Sequence, residues 1–170
     1  GIDVAVLERR ERFGHLTGVW QYLAAVPSAL ASFRPIPVRI NYAVHSGLKT
    51  QESVATRTLL TAVTVGPSVG GGFLVNPEAT PYDGLLDLMV VRPLGIAKIV
   101  RYIPKVMRGR HQGLPELLQR RISTMTVARE DGKPFFFEMD GERVPDPVEG
   151  LVVDVLPGAM NVLVGTEGAG

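Results

Sequence analysis

The sequence predicts a mainly β fold with added helices, an α+β domain built on an antiparallel β-sandwich. Two observations carry that expectation: short strand-like runs outnumber helix-like ones, and several are joined by two-residue turns such as Asp131-Gly132, Asp140-Gly141 and Pro157-Gly158. A third bounds the size. A chain of 170 residues, 45% hydrophobic, buries roughly two-thirds of its surface as one domain and needs neither disulfide nor structural metal to fold.

In chain order, Ile2 to Leu7 is strand-like, and Val19 to Ala31 is helix-like around Trp20, Leu23, Val26 and Leu30, with Pro27 kinking or dividing it. Pro35 and Pro37 lead into a strand over Val38 to Val44, in which Val38, Ile40 and Tyr42 alternate with Arg39, Asn41 and Ala43. Ser46-Gly47 turns it. Thr58 to Val65 is apolar on both faces and reads as a central strand, and Leu85 to Val91 as another, ended by Pro93. Leu94 to Arg108 has helical periodicity, and a short helix is expected near Pro115 to Arg120. Strands over Ile122 to Ala128, Pro134 to Met139, Leu151 to Leu156 and Asn161 to Val164 complete the chain, ahead of a small-residue tail expected to fray. Residues 1–165 form one domain on this reading and 166–170 a flexible tail.

Composition excludes several functions. Eighteen basic and seventeen acidic residues leave a net charge of +1, so the chain as a whole makes no electrostatic case for nucleic acid. The absence of cysteine rules out disulfides, thiolate catalysis and cysteine-ligated zinc, and fits a cytoplasmic location. Gly1 to Arg10 lacks the basic-then-apolar order of a signal peptide, no apolar run is long enough to span a bilayer, and the start at Gly1 reads as a fragment of something longer.

Three features carry chemistry. The stretch Gly70 to Leu88, GGGFLVNPEATPYDGLLDL, gives up three side chains in succession and then sets Asp83-Gly84 before an apolar strand. A loop carboxylate with neighbouring carbonyls suits a hard cation such as Mg²⁺, although Asp-Gly ahead of a strand is also an ordinary turn. Asp87, between Leu86 and Leu88, reads as a solvent-facing polar position. Asp140-Gly141-Glu142 places two carboxylates at a hairpin tip, where one could deprotonate a hydroxyl while the other orients it; the run Phe135 to Phe137 would form an apolar wall beside them, which raises a carboxyl pKa. The turn-making role of Asp-Gly explains the dipeptide equally well.

In Leu94 to Arg108, Ile96, Ile99, Val100, Ile103, Val106 and Met107 fall on one side, while Lys98, Arg101, Lys105 and Arg108 form a basic stripe beside Tyr102. Such a helix can lie against anionic headgroups or simply be solvated. His111, after Gly109-Arg110, suits a phosphate contact or a cap for this helix, and reads as the cap.

Taken together, Asp83-Gly84-Leu85-Leu86-Asp87, Gly109-Arg110-His111 and Asp140-Gly141-Glu142 resemble, in order and separation, the C-terminal domain of the diacylglycerol kinase-like lipid kinases, a group that includes bacterial diacylglycerol kinases and sphingosine kinases. The likeness runs from Gly1-Ile2-Asp3 to Leu156-Pro157-Gly158. It implies an antiparallel β-sandwich shared with NAD kinase-like two-domain enzymes, and a peripherally membrane-associated cytoplasmic enzyme that moves the γ-phosphoryl of ATP to a lipid alcohol.

Carried across, the resemblance implies Glu142 as proton acceptor, Asp140 as its partner, and a structural Mg²⁺ held by the Asp83 carboxylate and the carbonyls of Thr80 and Leu85. The nucleotide-binding domain, with its Gly-Gly-Asp-Gly-Thr motif, is absent from this chain, so the chain alone is expected to be inactive. Val65 stands before Gly66-Pro67 where many relatives carry asparagine. A non-catalytic lipid-binding module of the same fold is the alternative; kinship with NAD kinases themselves fits the pattern poorly.

Overall fold

The computed structural model describes residues 33–46, 48–69 and 73–161. The expectations for Ile2 to Leu7, Val19 to Ala31, the three glycines Gly70 to Gly72, Asn161 to Val164 as a strand, and the tail lie wholly or mainly outside these residues. The described part is a mostly antiparallel sheet with one helix, as the turns and short apolar runs predict.

The strands are β1 (Ile36–Ser46), β2 (Leu48–Thr58), β3 (Leu60–Thr64), β4 (Leu86–Val91), β5 (Leu117–Arg129), β6 (Glu138–Met139), β7 (Glu142–Arg143) and β8 (Gly150–Asp154), and the helix α1 is Ile96–Met107. Six strands form one sheet in the order β2-β1-β5-β4-β3, with β8 also on β5; β6 and β7 form a separate hairpin. The long strand β5 organises the sheet. Its register with β1 runs over Ile122 to Arg129, while β4 pairs with Leu117 to Ile122 and β8 with Thr124 to Ala128. Since β1 and β4 both meet Ile122, they lie on opposite edges of β5, so β4 and β8 share the other edge end to end.

Burial divides along the alternation of β4. Leu86, Leu88 and Val90 join Val38, Ile40, Tyr42, Ile122, Met125 and Val127 in one cluster. Met89 and Val91 face the other way, into a cluster with Leu59, Phe73 and Val75 that Ile99, Ile103 and Val106 of α1 cover. All six residues of β4 are therefore buried, which is what a strand covered on both faces requires.

Four expectations are corrected. Thr58 to Val65 is not one central strand: Thr58 ends β2, Leu59 makes a corner, and β3 lies at an end of the strand order with its residues only partly buried. The corner is held by the Thr58 hydroxyl, which donates to the Leu60 carbonyl at 2.7 Å and lies 3.2 Å from that of Val91. Leu117 to Arg120 is the start of β5 and not a helix, because pairing with β4 satisfies its backbone along a sheet that a single helical turn could not replace. β2 has no counterpart among the expected elements; its polar sequence KTQESVATRT offers little apolar signal, yet it pairs with β1 through eleven residues. Of Pro134 to Met139 only Glu138–Met139 forms a ladder, with an isolated bridge from Phe135 to Val148.

Candidate functional site

The chemistry-bearing residues fall into two groups, the segment from Phe73 to Leu85 and the tip of the β6–β7 hairpin. The first begins where Val69 and Phe73 exchange backbone hydrogen bonds of 2.9 and 3.1 Å and so close the loop. Asn76, buried, staples this segment to its neighbours: its amide donates to the Thr64 hydroxyl at 2.9 Å and the Asp87 carbonyl at 3.0 Å, and its own N–H reaches the Pro67 carbonyl at 3.2 Å.

His111 meets the same segment from the other side. It is fully buried, with Nε2 at 2.8 Å from the Val75 carbonyl. A carbonyl only accepts, so the proton sits on Nε2, and Nδ1 is buried with no hydrogen-bond partner among the described residues. The cap expected of His111 belongs to Gly109 instead. The Arg110 N–H donates to the Lys105 carbonyl at 2.7 Å and the Gly109 N–H to Val106 at 3.1 Å, the paired bonds of a Schellman ending, with Gly109 at φ 64°. A Cβ at Gly109 would also stand 3.0 Å from that of Pro77, so only glycine allows this close approach. Gly109-Arg110-His111 thus ties the end of α1 to the loop ahead of β4.

Asp83 lies exposed in the turn before β4, where Oδ1 accepts the Leu85 N–H at 2.9 Å. Thr80 and Leu85 flank it in the same turn. Among the described residues no three His, Cys, Asp or Glu side chains converge as metal ligands. A cation here would have one carboxylate, backbone carbonyls and water, a donor set that fits Mg²⁺, which keeps several waters.

Asp87 corrects the sequence reading. Its face of β4 is covered, its side chain is 10% exposed, and Arg121 Nε stands 3.7 Å from Oδ1, while Oδ2 is buried with no hydrogen-bond partner among the described residues. Burial pushes its carboxyl above the usual range, Arg121 pulls it back, and Asp83 and Glu78 push it up further. A polar cleft of about 300 Å³ opens beside it, lined in part by Asn76, Glu78, Gln119 and Arg121. A lone carboxylate inside the apolar run LLDLMVV was the available signal for this cluster.

At the hairpin tip, Met139 pairs with Glu142 and Glu138 with Arg143. Asp140 at φ 53° and Gly141 at φ 85° form the turn between them, the two positive φ values of a type I′ turn, which glycine and aspartate tolerate. Both carboxylates are exposed. Two of the three phenylalanines are engaged elsewhere: Phe135 packs on the core and Phe136 lies under the Arg143 guanidinium, 3.8 Å from ring centroid to Cζ. No hydrogen bond or ion pair among the described residues links this tip to Asp83.

On α1 the apolar side divides. Ile99, Ile103 and Val106 pack inward, whereas Ile96, Val100 and Met107 are 53%, 57% and 39% exposed. Beside them run Arg101, Lys105 and Arg108; Lys98 is paired with Glu116 at 2.6 Å, and Lys105 stands over the Tyr102 ring. No helix among the described residues is long and apolar enough to cross a membrane.

Residues 1–164 match the family model described as the YegS C-terminal NAD kinase beta sandwich-like domain. A diacylglycerol kinase of Mycobacterium tuberculosis (strain ATCC 25618 / H37Rv) is 32% identical over 164 residues, 96% of this chain and 49% of that protein. One from Bacillus subtilis (strain 168) is 33% identical over 82 residues, 48% of this chain and 25% of that protein. The chain thus spans about half the length, or less, of the curated relatives it matches. A crystal structure of a candidate diacylglycerol kinase from Bacillus anthracis str. Sterne superposes with a TM-score of 0.60 at 22% identity, covering 81% of this chain and 42% of that one; at that identity the likeness concerns the fold.

Proposed function

The chain belongs to the diacylglycerol kinase-like family, and from that premise we propose that it is the acceptor-side half of an ATP-dependent lipid kinase. The observation that carries this reading is the pair of exposed carboxylates, Asp140 and Glu142, held at the tip of a type I′ hairpin. An exposed tip places a base where a substrate from outside the domain can reach it.

Glu142 accepts the proton of a lipid hydroxyl as the hydroxyl oxygen bonds to the γ-phosphorus of ATP. The bond from that phosphorus to the β–γ bridging oxygen breaks and ADP leaves. Asp140 shares the tip and orients the hydroxyl. A nucleotide-binding domain of the same polypeptide, upstream, brings ATP, so this half alone does not turn over.

Asp83, with the carbonyls of Thr80 and Leu85, holds a structural Mg²⁺, which supplies positive charge that braces the turn. The exposed Ile96, Val100 and Met107 beside Arg101, Lys105 and Arg108 support contact with an anionic membrane surface from the cytoplasmic side. A lipid alcohol of the diacylglycerol kind, with a hydroxyl beside apolar tails, suits a base on a membrane-facing domain.

In the protein carrying both domains, Glu142→Gln removes the base while keeping the side-chain shape. It should lower the rate of label transfer from γ-labelled ATP to lipid at least about 100-fold, with an unchanged thermal midpoint. An unaltered rate removes Glu142 from this role. The same face on α1 also suits a lipid-binding module without kinase activity; vesicle binding by a two-domain protein that phosphorylates no lipid in a total extract would select that reading.

A further inference from the structure

The β6–β7 hairpin is too short to hold itself. Two residues on each side form its ladder, and a two-stranded hairpin of that size is at best marginally stable in water. Below the tip the register also breaks. The Val144 N–H donates to the Phe137 carbonyl at 3.0 Å, and Phe135 and Val148 exchange two bonds of 2.9 Å. Between those two pairings, Phe136 alone on one side faces Pro145, Asp146 and Pro147 on the other. The prolines have no N–H to give, so the arm is anchored through Phe135 in the core and interrupted just above that anchor.

A side-chain contact reaches across the interruption. The Arg143 guanidinium lies over the Phe136 ring at 3.8 Å from its centroid. Phe136, Glu138 and Arg143 share a face of the ribbon by strand alternation and pairing, and Glu142 takes the other face. Arg143 therefore does not point where Glu142 points; it lies against the residue that starts the arm.

We propose that the Arg143–Phe136 stack is the clamp that orients Glu142: Arg143 is a positioning residue for the phosphoryl-transfer base. This inference rests on the role given to Glu142 above. A planar guanidinium stacked on a ring holds the tip in one orientation at little entropic cost, and a lysine at the same place keeps the charge but loses the plane.

The test uses the two-domain protein and compares Arg143→Ala, Arg143→Lys, Phe136→Leu, the double variant Phe136→Leu/Arg143→Ala, and Glu142→Gln. Loss of the clamp should lower kcat about tenfold in Arg143→Ala and Phe136→Leu, with KM for ATP and the thermal midpoint unchanged. Arg143→Lys should recover part of the loss, and the double variant should be no worse than either single one, because both remove the same contact. Hydrogen exchange at the Val144 amide, a readout independent of activity, should quicken in both single variants.

Losses that multiply in the double variant, unchanged Val144 exchange, or unchanged kcat in Arg143→Ala beside an inactive Glu142→Gln would each overturn the clamp. Full activity in Glu142→Gln with quickened exchange in Arg143→Ala would overturn the base and, with it, the purpose assigned to the clamp.

Discussion

Arg129 and Asp131 form a close ion pair, with Arg129 Nε donating to Asp131 Oδ1 at 2.7 Å across the turn after β5. These hydrogen bonds, helped by the Lys133 N–H, hold the Asp131 carboxyl down at about 2, against 3.8 ordinarily. Because the folded state binds this proton less readily, the unfolded chain takes up more protons between those two values. The contribution is fully present above about pH 4 and fades as the pH falls toward 2. Denaturant midpoints of Asp131→Asn should therefore lie below those of the parent by a constant amount at neutral pH and converge with them near pH 2; a gap independent of pH would show that the turn, not the charge, is what Asn alters. Legibility differed among the aspartates for a physical reason. Asp140 was readable as a turn residue because positive φ is a local demand. The burial of Asp87 was not, because alternation says which residues share a face of a strand and not whether α1 and the loop carrying Asn76 cover that face.

At the scale of elements, local signals succeeded where an element is made by its own sequence and failed where a neighbour makes it. α1 shows its period and ends in a glycine at the position its C-terminus demands. β2 and the start of β5 carry no such signature; each is a strand because β1 and β4 offer unpaired backbone. The six apolar residues of α1 were legible as one side of a helix, but only packing shows that three of them face outward. That outward strip lies next to the basic stripe, the arrangement of a helix lying in a bilayer interface. Reversing charge in the triple variant Arg101→Glu, Lys105→Glu, Arg108→Glu should weaken co-sedimentation with anionic vesicles at least about tenfold and leave neutral vesicles unaffected. It should lower the thermal midpoint only slightly, since none of the three side chains contributes to the core clusters, while acidic groups oppose the dipole at the end of the helix. Equal binding by variant and parent would remove α1 from the membrane contact.

For the molecule as a whole, the two candidate groups are separate: a turn ahead of β4, braced by Asn76 and, through Val75, by His111, and a hairpin tip anchored through Phe135. No hydrogen bond or ion pair among the described residues links them, although Phe135 packs against the core cluster that holds Leu86, and the chain spans only about half the length of the curated relatives it matches. The order of the motifs was legible because each needs a particular residue at a particular backbone angle, whereas the use of the Asp83 turn depends on what meets it. One carboxylate with one oxygen already accepting the Leu85 N–H is a weak cation site by itself, and a domain that adds oxygen ligands would strengthen it. Ligand bound only to the folded state raises stability by mass action. Mg²⁺ should accordingly raise the thermal midpoint of the two-domain protein, and Asp83→Asn should abolish that rise while leaving the midpoint in chelator close to the parent's. The same comparison on this half alone should show a smaller response to Mg²⁺ if a partner domain adds oxygen ligands at the turn. An undiminished rise in Asp83→Asn would place the ion elsewhere; an equal rise in the isolated half would show that the Asp83 turn needs no partner to hold it.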